Sequence, residues 1–187
     1  YKRLPTPPRA GVFLQRFGAR GHQDRPARDE RGCQGEARFS VDDPSSYSRA
    51  VTIAAGAARL YANDPSAVAF GIELVYADAD GAEVRMTLRP EMCNGYEIAH
   101  GGMTFLLADS AMAFASNASG GTALATSATI DWVAPVPVGA LMTATARRRS
   151  GSGRSVVWDI TVRIDDDVEV AVFRGRTRLV TPANSEA

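Results

Sequence analysis

One carboxylate lies inside the most apolar stretch of this sequence. Residues 100–117 are mostly alanine, leucine, methionine, phenylalanine and other small residues, and Asp109 is the only charged residue among them. A stretch that is apolar on every side is typical of a helix buried on every side. Because burying an unpaired carboxylate costs several kcal/mol, Asp109 must have a partner, reach a water-filled site or be held protonated.

A glycine-rich turn leads into this predicted helix and could bind an electron-rich oxygen. Asn94 begins the turn, and Gly101 and Gly102 follow His100 at the helix start. Backbone N–H groups there are unpaired, the helix dipole is positive, and glycine lets a substrate come close. The tandem glycines cost about 1 kcal/mol each in helix propensity, so we expect a compensating role. Simple turn and helix-entry roles remain the alternatives for Asn94 and His100.

The spacing of these groups indicates a site built from two chains. At 1.5 Å per residue, the nine positions from His100 to Asp109 correspond to roughly 13 Å along a helix. The helix start of one chain is therefore not expected to meet its own Asp109. In a crossed or antiparallel dimer, the aspartate of one subunit can approach the helix start of the other.

The elements that position these groups predict an α+β domain over residues 49–182. The pattern predicts a first helix over 49–63, a two-stranded hairpin over 70–88, the central helix, and four strands over 122–133, 140–149, 155–165 and 168–180. We expect an antiparallel sheet wrapped around the long central helix. Since one sheet cannot cover a helix that is apolar on all sides, a second copy in an isologous dimer would bury the rest.

Composition limits the classes of function. Residues 1–48 contain five prolines and little apolar periodicity, which predicts a disordered N-terminal tail. The formal net charge is zero and 45% of residues are hydrophobic, so we expect no nucleic-acid partner and no membrane association. Cys33 and Cys93 lie far apart, which favours a reducing, cytoplasmic location and indicates neither a disulfide framework nor a metal site.

Three short motifs resemble the signature of the hotdog-fold acyl-coenzyme A thioesterases, most closely the PaaI type of the phenylacetate pathway. They are Asn94-Gly95, His100-Gly101-Gly102 and Ala108-Asp109-Ser110. The flanking segments LYANDPSAVAFGIEL, ATIDWVAPVPVG and EVAVFRG are also similar in order and spacing, so the likeness covers roughly residues 50–180. The resemblance implies a hotdog fold and an enzyme that hydrolyses an acyl- or aryl-acyl-coenzyme A thioester without a metal or separate cofactor. It also implies a homodimer with two shared sites, or a dimer of such dimers.

The resemblance also implies roles for individual residues. Asp109 matches the catalytic carboxylate, as nucleophile or general base, and the Gly101 amide matches the oxyanion donor. Asn94 and His100 match residues that position substrate or water. Candidates for substrate or coenzyme A binding are Gly102, Thr126, Ser127, Arg148 and Arg154. Thr126 and Ser127 are included because Met112 and Ala113 stand where some relatives carry a supporting hydroxyl.

Other functions fit the sequence less well. A serine hydrolase would need a G-x-S-x-G motif, which is absent from the sequence. A hotdog hydratase would carry a different acid–base pair before the helix. The alternative from another class is a non-catalytic acyl-coenzyme A-binding or sensing hotdog protein. Asp109 distinguishes the two, because a sensor does not need a carboxylate directed at the thioester. The arginines at 174, 176 and 178 are interpreted as a solvated sheet face.

Overall fold

The computed structural model describes residues 52–165 and 168–182. The predicted tail over residues 1–48 lies outside the described residues. Within these ranges the helices are α1 (Ala55–Ala62), α2 (Pro65–Phe70) and α3 (Gly101–Asn117), with a short 3-10 helix at Pro90–Met92. The strands are β1 (Glu73–Asp78), β2 (Gly81–Thr87), β3 (Thr122–Trp132), β4 (Leu141–Ser152), β5 (Ser155–Ile164) and β6 (Val168–Thr181).

The six strands form one antiparallel sheet in the order β1-β2-β4-β5-β6-β3. The long helix α3 packs against one face of it and contacts every strand. Alternate residues of β5 and β6 face this helix and are buried, including Trp158, Ile160, Phe173 and Thr177. The predicted α+β architecture, an antiparallel sheet around a central helix, is confirmed. Strand β3 lies at the sheet edge, and most of its residues are exposed.

Helix α3 is the apolar segment predicted from the sequence, and it ends at Asn117, close to the predicted glycine stop. Its buried residues face the sheet, including Leu107, Met112 and Phe114. The opposite side carries a stripe of residues that remain at least partly exposed in the single chain. Gly102, Leu106, Asp109, Ala113 and Ser116 form this open stripe. One chain therefore buries α3 on one side only, and the remaining side is available for a second surface.

The region between α1 and β1 departs from the sequence prediction. The prediction that a strand begins at Phe70 is wrong, because residues 65–70 form α2 and β1 begins at Glu73. The Asp64 carboxylate caps α2 by accepting hydrogen bonds from the N–H groups of Ser66 (2.9 Å) and Ala67 (3.2 Å). Gly71 then ends α2 in the left-handed region, with φ of 69°. Asp64 and Pro65 thus end one helix and begin the next.

Helix α1 packs against the C-terminal end of α3 through Gly56. A Cβ atom at Gly56 would lie 2.2 Å from the Asn117 carbonyl oxygen, so only glycine allows this approach. Arg59 Nη2 also donates a hydrogen bond to the Gly120 carbonyl oxygen at 3.3 Å. The predicted first helix over 49–63 is shorter within the described residues, because residues 52–54 are extended and Ile53 bridges to Ala77 of β1.

Candidate active site

The start of α3 is held by side chains on two sides. His100 is the N-cap residue, and its Nδ1 accepts a hydrogen bond from the Gly102 N–H at 3.0 Å. Trp132, at the end of β3, donates a hydrogen bond from Nε1 to the Gly101 carbonyl oxygen at 3.3 Å. The Met103 N–H bonds to the His100 carbonyl oxygen at 2.8 Å. Within residues 52–165 and 168–182, no partner is found for the Gly101 N–H, which leaves it available to a substrate oxygen.

Asp109 lies on the open stripe of α3 and is half-buried. Its carboxylate has no hydrogen-bond or ion-pair partner in the described part of the chain. Burial raises the pKa of Asp109 above the usual value for an aspartate, because the charged form is partly desolvated. An unpaired carboxylate with a raised pKa is a better proton acceptor than an ordinary surface aspartate.

A cavity of about 220 Å³ opens beside Asp109. The residues that line it come from α1, α3 and the strands β3 and β6: Leu60, Asp109, Met112, Ala113, Ser116, Asn117, Thr122, Ala123, Leu124, Ala125 and Thr177. The lining is predominantly aliphatic, with a few hydroxyl and amide groups. Such a cavity suits the apolar part of a ligand whose reacting group lies at Asp109.

The two candidate halves of the site do not meet within one chain. Gly101 and Asp109 are eight positions apart on α3, which corresponds to about 12 Å along the axis. Strand β3 also contacts the two halves at different places, since Trp132 lies against Gly101 while Ala125 lines the cavity beside Asp109. These strand residues are seven positions apart, or roughly 23 Å.

Asn117 fixes the wall of the cavity and was not foreseen as a site residue. Its Nδ2 donates hydrogen bonds to the carbonyl oxygens of Ala113 (2.9 Å) and Ala123 (3.1 Å). Its Oδ1 accepts a hydrogen bond from the Ala123 N–H at 2.9 Å. The side chain therefore pairs with both backbone groups of Ala123 and anchors the start of β3 to α3. An asparagine at a predicted helix end is the only sequence signal for this role.

A family model described as the thioesterase superfamily matches residues 96–171. The acyl-coenzyme A thioesterase PaaI of Escherichia coli strain K12 is 39% identical over 121 residues, which cover 65% of this chain and 86% of that protein. The chain belongs to the thioesterase superfamily. It is thus a thioester hydrolase by family, as predicted.

Solved structures of PaaI proteins share the fold of this thioesterase. The Escherichia coli PaaI protein from the phenylacetic acid degradation operon superposes with a TM-score of 0.66 at 36% identity, covering 68% of this chain and 93% of that one. A point mutant of the phenylacetic acid degradation protein PaaI from Thermus thermophilus gives a TM-score of 0.60 at 32% identity, covering 63% and 100%. The predicted hotdog fold and the PaaI-type resemblance are confirmed.

Asn94 lies in the turn that leads to α3. Its Oδ1 accepts a hydrogen bond from the Tyr96 N–H at 2.8 Å, and its own N–H donates to the Ile98 carbonyl oxygen at 2.9 Å. The turn is tied to the helix start, since the His100 N–H donates to the Met92 carbonyl oxygen at 3.0 Å. The Asn94 oxygen is therefore engaged in turn formation, and its role toward a substrate stays a prediction.

Thr126 and Ser127 lie on β3 but do not line the cavity beside Asp109. A β-bulge between Ala125 and Ser127 interrupts the regular alternation of side chains along the strand. Ser127 pairs with Arg176 on the face of the sheet away from α3. The Thr126 hydroxyl donates to the Arg176 carbonyl oxygen at 3.2 Å. Within one chain, neither hydroxyl supports the Asp109 carboxylate.

Arg148 and Arg154 lie at the β4–β5 hairpin and are exposed. The hairpin is at the end of the sheet where β3 begins, which is the cavity end and not the helix-start end. On the outer face of the sheet, Arg174 forms a two-pronged ion pair with Asp159 at 2.6 and 3.0 Å, as expected for a solvated sheet face. Coenzyme A contacts of Arg148 and Arg154 stay a prediction.

The described residues contain no group of three or more potential metal ligands, and none of their helices is long and apolar enough to cross a membrane.

Proposed function

We propose that this thioesterase hydrolyses acyl- or aryl-acyl-coenzyme A thioesters at two sites shared by a homodimer. The observation that carries the proposal is the unpaired, half-buried Asp109 on the open stripe of α3, in a chain 39% identical to a protein named acyl-coenzyme A thioesterase. A half-buried carboxylate without a partner lowers the stability of the fold, and this favours a functional reason for its presence. The cavity beside it supplies room for an apolar acyl group.

The Gly101 N–H is the proposed oxyanion donor. It lies at the helix start, where the N–H groups and the helix dipole favour negative charge on a bound oxygen. In the transition state, the thioester carbonyl oxygen becomes an oxyanion and accepts this hydrogen bond. Such a donor typically contributes about 2.7–4 kcal/mol to transition-state stabilisation.

Asp109 of the second subunit acts on the opposite side of the carbonyl carbon. As a general base, it takes a proton from a water molecule whose oxygen attacks that carbon. The C–S bond then breaks, and the thiolate of coenzyme A leaves and is protonated. As a nucleophile, the carboxylate attacks the carbon directly, and the C–S bond breaks as the thiolate of coenzyme A leaves. Water then hydrolyses the resulting mixed anhydride to the free acid and the Asp109 carboxylate. Label that accumulates in the Asp109 carboxylate during turnover in ¹⁸O-labelled water identifies the nucleophilic route, because hydrolysis at the aspartyl carbon of the anhydride puts a water oxygen there. The general-base route puts label only in the acid product.

The shared arrangement follows from the fold. Gly101 and Asp109 are about 12 Å apart along one rigid helix. The open stripe of α3 and the exposed edge strand β3 give a second copy two adjoining surfaces to cover. An antiparallel contact between two copies along this region would bring each Gly101 toward the other copy's Asp109.

Thiol release from a panel of aliphatic and aromatic acyl-coenzyme A thioesters tests the catalytic assignment. Asp109→Ala should lower kcat/KM by about 10²–10⁴-fold, the usual contribution of a general base. Glu73→Ala, which removes an exposed carboxylate from β1 at the opposite edge of the sheet, is the matched control and should retain full activity. Unchanged turnover in Asp109→Ala would refute the assignment.

Subunit mixing tests the shared site. Asp109→Ala and Gly101→Val are each expected to be inactive as homodimers. Random mixing of equal amounts makes half of the dimers hybrid, and each hybrid contains one intact site, so about a quarter of wild-type activity should return. If mixed samples remain as inactive as either parent while hybrids are shown to form, each site belongs to one chain.

A further inference from the structure

The peptide between Gly101 and Gly102 is held by a different side chain at each end. Its carbonyl oxygen accepts the indole N–H of Trp132 at 3.3 Å, and its N–H donates to His100 Nδ1 at 3.0 Å. We propose that Trp132 is a positioning residue that aims the Gly101 N–H at the substrate oxygen. This inference rests on the proposed function, in which Gly101 is the oxyanion donor.

Trp132 also explains why glycine stands at position 101. A Cβ atom there would lie 3.1 to 3.2 Å from three atoms of the indole ring, closer than carbon atoms normally pack. The ring therefore rests directly on the Gly101 backbone. The contact and the hydrogen bond together restrict the movement of this residue toward the sheet and its rotation about the helix axis.

The surrounding hydrogen bonds single out the Gly101 N–H. The next two N–H groups of the helix, those of Gly102 and Met103, are both occupied by His100. The Gly101 N–H is thus the first donor of α3 without a partner in the described ranges. Its direction depends on how the following peptide is held, because adjacent peptide planes share the Gly101 Cα atom.

Trp132 is itself firmly placed. It is the last residue of β3 and pairs with Ala171 of β6, and the next residue, Val133, donates its N–H to the Val170 carbonyl oxygen at 2.9 Å. The indole is nevertheless 55% exposed, so packing in the core does not account for its position. A half-exposed indole contributes less to the core than a buried one, so its contact with Gly101 is the better explanation of its position.

Trp132→Phe tests the hydrogen bond, because phenylalanine keeps an aromatic ring and removes the N–H donor. We expect kcat for the thioester panel to fall by about 10- to 100-fold, as for a misaligned oxyanion donor, with KM within about twofold. The melting temperature should stay close to that of the wild type, since the side chain is half-exposed. Val172→Ala, which trims an exposed apolar residue on the outer face, is the control and should leave kcat unchanged.

A second measurement detects the contacts of Trp132 with the Gly101–Gly102 peptide and does not depend on catalytic activity. In protein labelled with ¹⁵N-glycine, Trp132→Phe should shift the Gly101 and Gly102 amide resonances, whereas Val172→Ala should not. Unshifted resonances, or a full kcat in Trp132→Phe, would overturn the proposal. A wild-type protein that is inactive on the panel would refute the proposed function separately, and the resonances would still decide whether Trp132 holds this peptide.

Discussion

Replacing Gly56 with alanine should destabilise the protein, although the same change usually stabilises a helix. In a helix interior, alanine is favoured over glycine by about 1 kcal/mol. Here the added carbon would lie 2.2 Å from the Asn117 carbonyl oxygen, 2.5 Å from the Gly120 nitrogen and 2.7 Å from the Ala118 carbonyl oxygen. All three are backbone atoms, so no side-chain rotation can relieve the overlap.

The size of the effect follows from these distances. Carbon and carbonyl oxygen atoms normally approach to about 3.3–3.6 Å, so the overlap with Asn117 is about 1 Å and α1 must move away by a similar distance. Overpacking of this kind costs about 1–3 kcal/mol. Because three backbone atoms overlap with the added carbon at once, we expect a cost at the upper end of this range, about 2–3 kcal/mol. After the helix-propensity gain of about 1 kcal/mol is subtracted, the net loss is about 1–2 kcal/mol, or a decrease in melting temperature of about 2–8 °C. The shift of α1 also moves Leu60 away from the cavity beside Asp109.

Thermal unfolding followed by circular dichroism measures this loss, with thiol release as a second readout. Gly95→Ala is the matched control, because a Cβ atom at Gly95 meets nothing within 4 Å. Its melting temperature should match that of the wild type within about 2 °C. A Gly56→Ala protein as stable as the wild type, or more stable, would show that α1 does not pack against the backbone at the end of α3.

Two further predictions concern the cavity. The pKa of Asp109 is higher in the folded chain than in the unfolded chain. The free energy of unfolding therefore falls as the pH rises from the lower pKa to the higher one. Asp109→Asn should therefore have a higher melting temperature than the wild type at pH 7. In a series of melts at different pH, this difference should vanish below about pH 4, where the aspartate is protonated in both states. In the wild type, kcat/KM should fall on the acid side with a pKa above the usual aspartate range. Asn117→Asp keeps the side-chain shape but cannot donate a hydrogen bond to the Ala123 carbonyl oxygen. Urea titration should show that the free energy of unfolding falls by about 1–3 kcal/mol. An unchanged urea midpoint would show that Asn117 does not anchor β3 to α3.

The central helix was the element most accessible from the sequence. Its apolar run and glycine boundaries predict α3 directly, and the lone Asp109 indicates the candidate site on it. Strand alternation predicts the sheet because each buried position faces α3. Helix α2 was missed for a physical reason, since Asp64 and Pro65 stop one helix but also suit the first positions of another.

The finer geometry of the candidate site depends on contacts between residues that are distant in the sequence, which local sequence patterns do not predict. The bulge at Thr126 changes which side chains face α3, and side-chain alternation alone does not reveal a bulge. The role of Asn117 depends on where the chain returns after the glycine turn. Likewise, the indole of Trp132 reaches Gly101 from a strand that is distant in sequence, so only the folded chain shows that the two are neighbours.

One helix carries both the Gly101 amide and the Asp109 carboxylate, and its rise sets their separation within a chain. Under the shared-site proposal, the distance across the active site is then decided by the angle and offset at which two copies of α3 cross. Residues on the open stripe, such as Leu106 and Ala113, would set that crossing. Substitutions between subunits could therefore tune rate and acyl-chain preference while leaving every catalytic group and the fold of each chain intact.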